Sequence, residues 1–203
     1  MLFRSLGFKY SDTRIVLISH AHGDHDEGVG QIQKDTGARV MVMDGDVADV
    51  QSTAQGRPGA KVDRTLHDGD TVELGGSTLV AHLTPGHTRG CTTWTMQVEE
   101  GGKKLNAVII GSPNVNAGYI LVGNKSYPTI AQDYEKTFKV LKSLPVDLFL
   151  GAHGAYFGMK SKYERMKAGA PNPFIDRAGY DAYVTEREAA FRKEWEKQKQ
   201  TKP

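Results

Sequence analysis

Residues 15–25 read Ile15-Val16-Leu17-Ile18-Ser19-His20-Ala21-His22-Gly23-Asp24-His25. The four apolar residues at the head of this stretch predict a buried strand. The strand runs straight into three histidines and an aspartate within six positions. Imidazole and carboxylate suit Zn²⁺, and a strand end aims them rigidly while the following loop bends around the ion. In extended chain His20 and His22 point to the same side, and Asp24 with His25 can turn toward a neighbouring position, so one stretch can serve two metals. A purification tag would be terminal and uninterrupted, whereas this cluster is internal and interleaved with Ala21 and Gly23.

The 203 residues fit a single domain spanning 1–203, long enough to bury a core. Lys and Arg number 26 against 24 Asp and Glu, a net charge of +2 that offers no field for nucleic acid or a membrane surface. With 23 glycines and 38% hydrophobic residues, turns and loops are expected rather than a helical bundle. No apolar run approaches the roughly 18 residues of a membrane span. Cys91 stands alone and makes no internal disulfide. Leu2 to Phe8 is too short an apolar stretch, interrupted too early by Gly7, for a signal peptide.

Outward from the histidine cluster, residues 2–6 read as the end of a short helix closed by Gly7. Asp26 to Thr36 carries Val29, Ile32 and Gln33 at helical spacing and stops at Gly37. Val40 to Met43 predicts a short buried strand, Asp44 to Thr53 a surface helix, and Gln55 to Ala60 a loop. From Val62 to Leu83 the pattern is one of hairpins, and Leu79 to Leu83 ends at Thr84-Pro85-Gly86-His87. Cys91 to Val98 and Leu105 to Ile110 flank the Glu100-Gly101-Gly102 turn. Ile130 to Leu144 is amphipathic and is stopped by Pro145. Val146 to Leu150 is again a strand, ending at Gly151-Ala152-His153, so three strands each end in a histidine-bearing loop. Lys160 to Lys167 and Ala178 to Gln200 predict helices, with Tyr183, Phe191 and Trp195 as core contacts of the latter.

His20-Ala21-His22-Gly23-Asp24-His25, Pro85-Gly86-His87 and Gly151-Ala152-His153 together resemble the metallo-β-lactamase superfamily. The resemblance runs through nearly the whole chain in order and spacing, including Gly90-Cys91-Thr92 after the second motif. It implies an α+β fold, an αββα sandwich with a dinuclear zinc site at one edge. In this superfamily hydroxyacylglutathione hydrolases, lactonases and related ribonucleases place an aspartate after the strand matching Leu105 to Ile110, and one lactamase subclass places a cysteine there. This sequence has Gly111-Ser112-Pro113, similar to the lactamase subclass whose second zinc is held by Asp-His-His. Asn114 to Tyr119, Tyr127-Pro128 and Gly169 to Phe174 are similar to that subclass as well.

Carried over residue by residue, the resemblance implies that His20, His22 and His87 hold a first zinc and Asp24, His25 and His153 a second. It implies hydrolysis of the β-lactam amide bond by a hydroxide held between two Zn²⁺ ions per chain, with β-lactam antibiotic resistance as the outcome. Asp24 would orient that hydroxide as well as bind metal. Three protein ligands per ion leave positions open for water and substrate, the catalytic rather than the structural arrangement. Ser112 and Asn114 are candidates to bind the carboxylate of a small-molecule β-lactam, and Tyr119 to line the pocket. His67 and His82 are expected outside the site, Cys91 as a small buried hydrophobe and Trp94 in the core.

By comparison with the family the chain starts in mid-domain, so the sandwich is expected to be N-terminally shortened. A free sheet edge would then favour a homo-oligomer. Family resemblance implies a periplasmic location, without a signal peptide in this sequence. Two other readings are a superfamily hydrolase acting on a thioester or lactone, against which Ser112 counts, and a zinc-binding homologue with weak catalysis.

Overall fold

The computed structural model describes residues 7–53 and 58–201. The helix expected at residues 2–6 and the first half of the loop expected at residues 55–60 lie outside them. Ile15–Leu17 (β1), Arg39–Met43 (β2) and Arg64–Leu66 (β3) form a parallel three-stranded sheet in the order β1-β2-β3. Thr71–Leu74 (β4), Ser77–Leu83 (β5), Thr92–Glu100 (β6), Lys103–Ile110 (β7) and Leu148–Gly151 (β8) form a second sheet in chain order. Its strands are antiparallel except for the parallel pair β7 and β8. The helices are Gly23–Asp26 (α1), Val29–Thr36 (α2), Val47–Gln51 (α3), Ile130–Ser143 (α4), Met159–Lys167 (α5) and Arg177–Thr201 (α6).

Side-chain alternation explains the layering. In β2, Val40 and Val42 face Val29 of α2 and Val50 of α3, while Met41 and Met43 point the other way, toward Leu66, Ala81 and Trp94 between the sheets. A strand buried on both faces reads as an unbroken apolar run, as this one does. In β7, Val108 and Ile110 pack against α4 and α6, and Ile109 joins the core between the sheets. Tyr134, Phe138 and Leu141, at helical spacing, form the buried face of α4. The four layers are therefore helix, sheet, sheet, helix, the αββα sandwich. Among the described residues no helix is long and apolar enough to cross a membrane.

Three local expectations need correction. The helix expected from Asp26 to Thr36 begins earlier, at Gly23, where His25 N and Asp26 N both donate to His22 O and close the histidine stretch into a tight turn, and it is interrupted at Glu27 and Gly28. Hairpins were expected from Val62 to Leu83, but only β4 and β5 form one, around Gly75-Gly76. Arg64–Leu66 instead joins the first sheet beside β2, which buries Leu66 completely between the sheets. The surface helix expected from Asp44 opens as a 3-10 turn, Asp44–Asp46, whose Asp46 is buried. At the edge strand β1 an apolar cleft of about 350 Å³ opens between the sheets, lined by Ile15, Leu17, Leu74 and Leu79 among others.

Candidate metal centre

The six expected ligands stand where three strands stop. β1 delivers the turn carrying His20, His22, Asp24 and His25; β5 delivers His87; β8 delivers His153. Backbone packing fixes the second of these turns. Gly86 has φ 125°, and a Cβ there would stand 2.8 Å from the Tyr134 ring, so only glycine lets the turn lie against α4. Thr137 Oγ1 of the same helix donates to Pro85 O at 2.6 Å.

His20, His22 and His87 form one group and Asp24, His25 and His153 another, the ligand atoms within each lying no more than 4.8 Å apart. The groups adjoin, with the His20 and His25 ring centroids 4.0 Å apart. Every ligand read from the sequence is thus brought to one place. His67 is exposed on the surface beside Asp70, and His82 pairs with Thr95 within the second sheet, both away from the site.

Hydrogen bonding shows which nitrogens are free. His87 Nδ1 lies 2.8 Å from Asn114 O. A carbonyl only accepts, so Nδ1 carries the proton and Nε2 is left as a bare lone pair. Tyr119 Oη donates to His87 O at 2.8 Å and so faces His22 Nε2, 3.4 Å away, as an acceptor, which leaves His22 Nδ1 bare. Ser19 Oγ lies 3.0 Å from His20 Nδ1 and 3.4 Å from His25 Nδ1. Burial, reinforced by the neighbouring imidazoles, pushes His20 down to about 2. Burial also pushes His87 down to about 4 against the opposing bond to Asn114, and lowers His25. Uncharged imidazole is the ligating form.

In the second group His25 Nε2 and His153 Nε2 are 3.0 Å apart, and Asp24 Oδ2 is 3.3 Å from the first and 3.5 Å from the second. Three electron-rich atoms converging in this way fit a cation between them. The donor set of imidazole nitrogens and one carboxylate fits zinc.

The expected substrate contacts are held by a residue that the sequence reading missed. Tyr156 Oη is 3.0 Å from Ser112 Oγ and accepts from Asn114 Nδ2 at 2.9 Å. Its ring lies 5.0 Å from that of His153. Tyr119 is half-buried and lines a cleft of about 380 Å³ with His87, Arg89, Ile120 and Tyr127. Cys91 is fully buried, its thiol pushed up to about 12 by burial, as suits a small core residue. Trp94 is buried and donates from Nε1 to Ile18 O at 3.1 Å.

An αββα sandwich with two three-ligand groups at adjoining strand ends defines a class of metal-dependent hydrolases. The family model of the metallo-β-lactamase superfamily matches residues 2–101. The native FEZ-1 metallo-β-lactamase of Legionella gormanii is 48% identical and superposes with a TM-score of 0.94, over 97% of this chain and 79% of that one. BJP-1 of Bradyrhizobium japonicum, a subclass B3 metallo-β-lactamase, is 38% identical with a TM-score of 0.90, over 98% of this chain and 78% of that one. The chain belongs to the metallo-β-lactamase superfamily, and its structural neighbours include subclass B3 lactamases. It is also 33% identical over 87 residues to a hydroxyacylglutathione hydrolase of Methylobacterium sp. (strain 4-46), a match spanning 41% of this chain but only 29% of that relative.

Proposed function

We propose that the chain hydrolyses the amide bond of β-lactams with two zinc ions, the first on His20, His22 and His87 and the second on Asp24, His25 and His153. The observation that carries this reading is the make-up of the second group. It draws its only carboxylate from Asp24, while Ser112, the second residue after β7, is a neutral group whose hydroxyl faces Tyr156. The likeness to the Legionella and Bradyrhizobium lactamases over almost the whole chain supports it.

Bound there, zinc supplies Lewis-acid polarisation of a carbonyl oxygen and lowers the pKa of water to about 7. The chain's own groups do the rest. Asp24, whose side chain is 62% exposed, presents its carboxylate at the open side of the site and is the acceptor that orients the attacking water. Asn114 fixes the His87 ring through its carbonyl. Because Asn114 Nδ2 donates to Tyr156 Oη, the tyrosine proton is available to Ser112 Oγ, and the three side chains form one network beside His153. Tyr119, beside His22 and His87, lines the cleft that adjoins His87.

A second reading, thioester hydrolysis, is favoured by the curated relatives, which are named hydroxyacylglutathione hydrolases. The zinc-loaded chain assayed in parallel on a chromogenic cephalosporin and a hydroxyacylglutathione thioester separates the two. The expected result is two zincs per chain and chelator-sensitive cephalosporin turnover that Asp24→Ala lowers about 100-fold or more without unfolding the chain. Turnover of the thioester alone selects the second reading. Two bound zincs with no turnover of any β-lactam overturns the first.

A further inference from the structure

We propose that Asp46 is the positioning residue of the first metal group, a buried carboxylate that fastens together the two turns bearing its ligands. Asp46 closes the Asp44–Asp46 turn between β2 and α3 and is 1% exposed. Its Oδ2 accepts from Ala21 N at 2.9 Å and from Thr88 Oγ1 at 2.7 Å, and its Oδ1 accepts from Gly90 N at 2.6 Å. Ala21 lies between His20 and His22, and Thr88 directly follows His87. One carboxylate therefore grips both turns within one or two residues of all three imidazoles.

The surrounding backbone is built for that grip. A Cβ on Gly45 would stand 2.5 Å from the Arg89 carbonyl carbon, and one on Gly90 would stand 2.5 Å from Asp46 N. Real Cβ contacts do not come this close, so two glycines let the turn and the His87 loop meet backbone to backbone. All three donors to Asp46 are neutral. Taking a carboxylate out of water against neutral donors is costly, and the compensation here is geometric, since a carboxylate accepts three bonds in fixed directions where a shorter or apolar side chain accepts fewer or none. Asp46 makes none of these bonds to the turn bearing His153. The turn at Asp24 and His25 is instead closed by its own backbone, with His25 N donating to His22 O at 2.8 Å. The grip is direct on the first group and reaches the second only through the backbone that joins His22 to Asp24 and His25.

This inference rests on His20, His22 and His87 being metal ligands, and is independent of which substrate is hydrolysed. Zinc affinity is measured on the full chain by competition with a chromophoric chelator, for the first site in a His153→Ala background and for the second in a His87→Ala background. Asp46→Asn keeps the shape but must turn an N–H donor against one of the three donors. Its first-site affinity is expected to fall 10- to 100-fold, the range for groups that orient metal ligands, with the second site within about 3-fold of its starting value. Thr88→Val, which removes a donor and leaves Asp46 in place, should move the first site in the same direction by less, and Thr88→Ser should restore it. Equal weakening of both sites, or an unchanged first site with only a lower melting temperature, would mean a general structural role and overturn the proposal. Should Asp46→Asn fail to fold, an unchanged first-site affinity in Thr88→Val overturns it as well.

Discussion

Ser19 shows how one side chain serves both metal groups. Its Oγ lies 3.0 Å from Nδ1 of His20, in the first group, and 3.4 Å from Nδ1 of His25, in the second. A hydroxyl accepts two hydrogen bonds, so it can hold both rings in the tautomer that leaves Nε2 for a metal. Ser19→Ala should weaken zinc binding at both sites by about 10-fold, and Ser19→Thr should restore it. That pattern is distinct from the first-site loss expected on removing the Asp46 carboxylate. A loss confined to the first site would show that the longer contact does not hold His25. The ligands were legible in the sequence because three imidazoles and a carboxylate within six positions have little reason to gather except around a cation. Their supports were not. Asp46 reaches Ala21 across 25 residues and Gly90 across 44, and Tyr156 reaches Ser112 across 44 and Asn114 across 42. A lone Asp or Tyr gives no sign of such a partner until the strands are assembled.

The long elements were legible for a different reason, their period. Helix α6 is rich in charge, and Phe191, one of the core contacts expected from its sequence, is fully buried, its ring 5.2 Å from Tyr134, 5.7 Å from Phe138 and 5.4 Å from Trp195. Tyr134 is also the ring against which Gly86 lies and donates from Oη to Asn114 O at 2.6 Å. The helix pair therefore backs the His87 turn. Phe191→Ala should cost about 3–5 kcal/mol in urea unfolding, the usual range for a buried aromatic. It should also loosen first-site zinc binding through Tyr134. A loss below about 1 kcal/mol would mean that α6 is not a structural part of this layer. The strand Arg64–Leu66 was not legible, because three residues are too few to display a period and their pairing is decided by β2, more than twenty residues earlier. Short elements take their state from their neighbours.

Across the whole molecule, each metal group draws from both sheets. The first sheet contributes His20 and His22 to one group and Asp24 and His25 to the other, and the second sheet completes them with His87 and His153. Near the site, the chain's own links between the sheets include Thr92 N donating to Ser19 O at 2.7 Å and Trp94 Nε1 donating to Ile18 O at 3.1 Å. An ion bound in either group therefore ties the two halves of the sandwich, and its binding free energy adds to the stability of the folded state. At a free zinc concentration 100 times the dissociation constant, each site should add about 2.7 kcal/mol. Chelation should lower the melting temperature, speed hydrogen exchange at the Thr92 amide and perturb Trp94 fluorescence together, since all three report the same junction. His153→Ala, which leaves the first group intact, should retain part of the zinc-dependent stabilisation, and the His87→Ala, His153→Ala double variant should retain none. A melting temperature indifferent to chelator would mean that the junction is held by the core between the sheets alone. Met41, Leu66, Ala81 and Trp94 would then carry the sandwich, and the ligands would be free to serve catalysis without serving the fold.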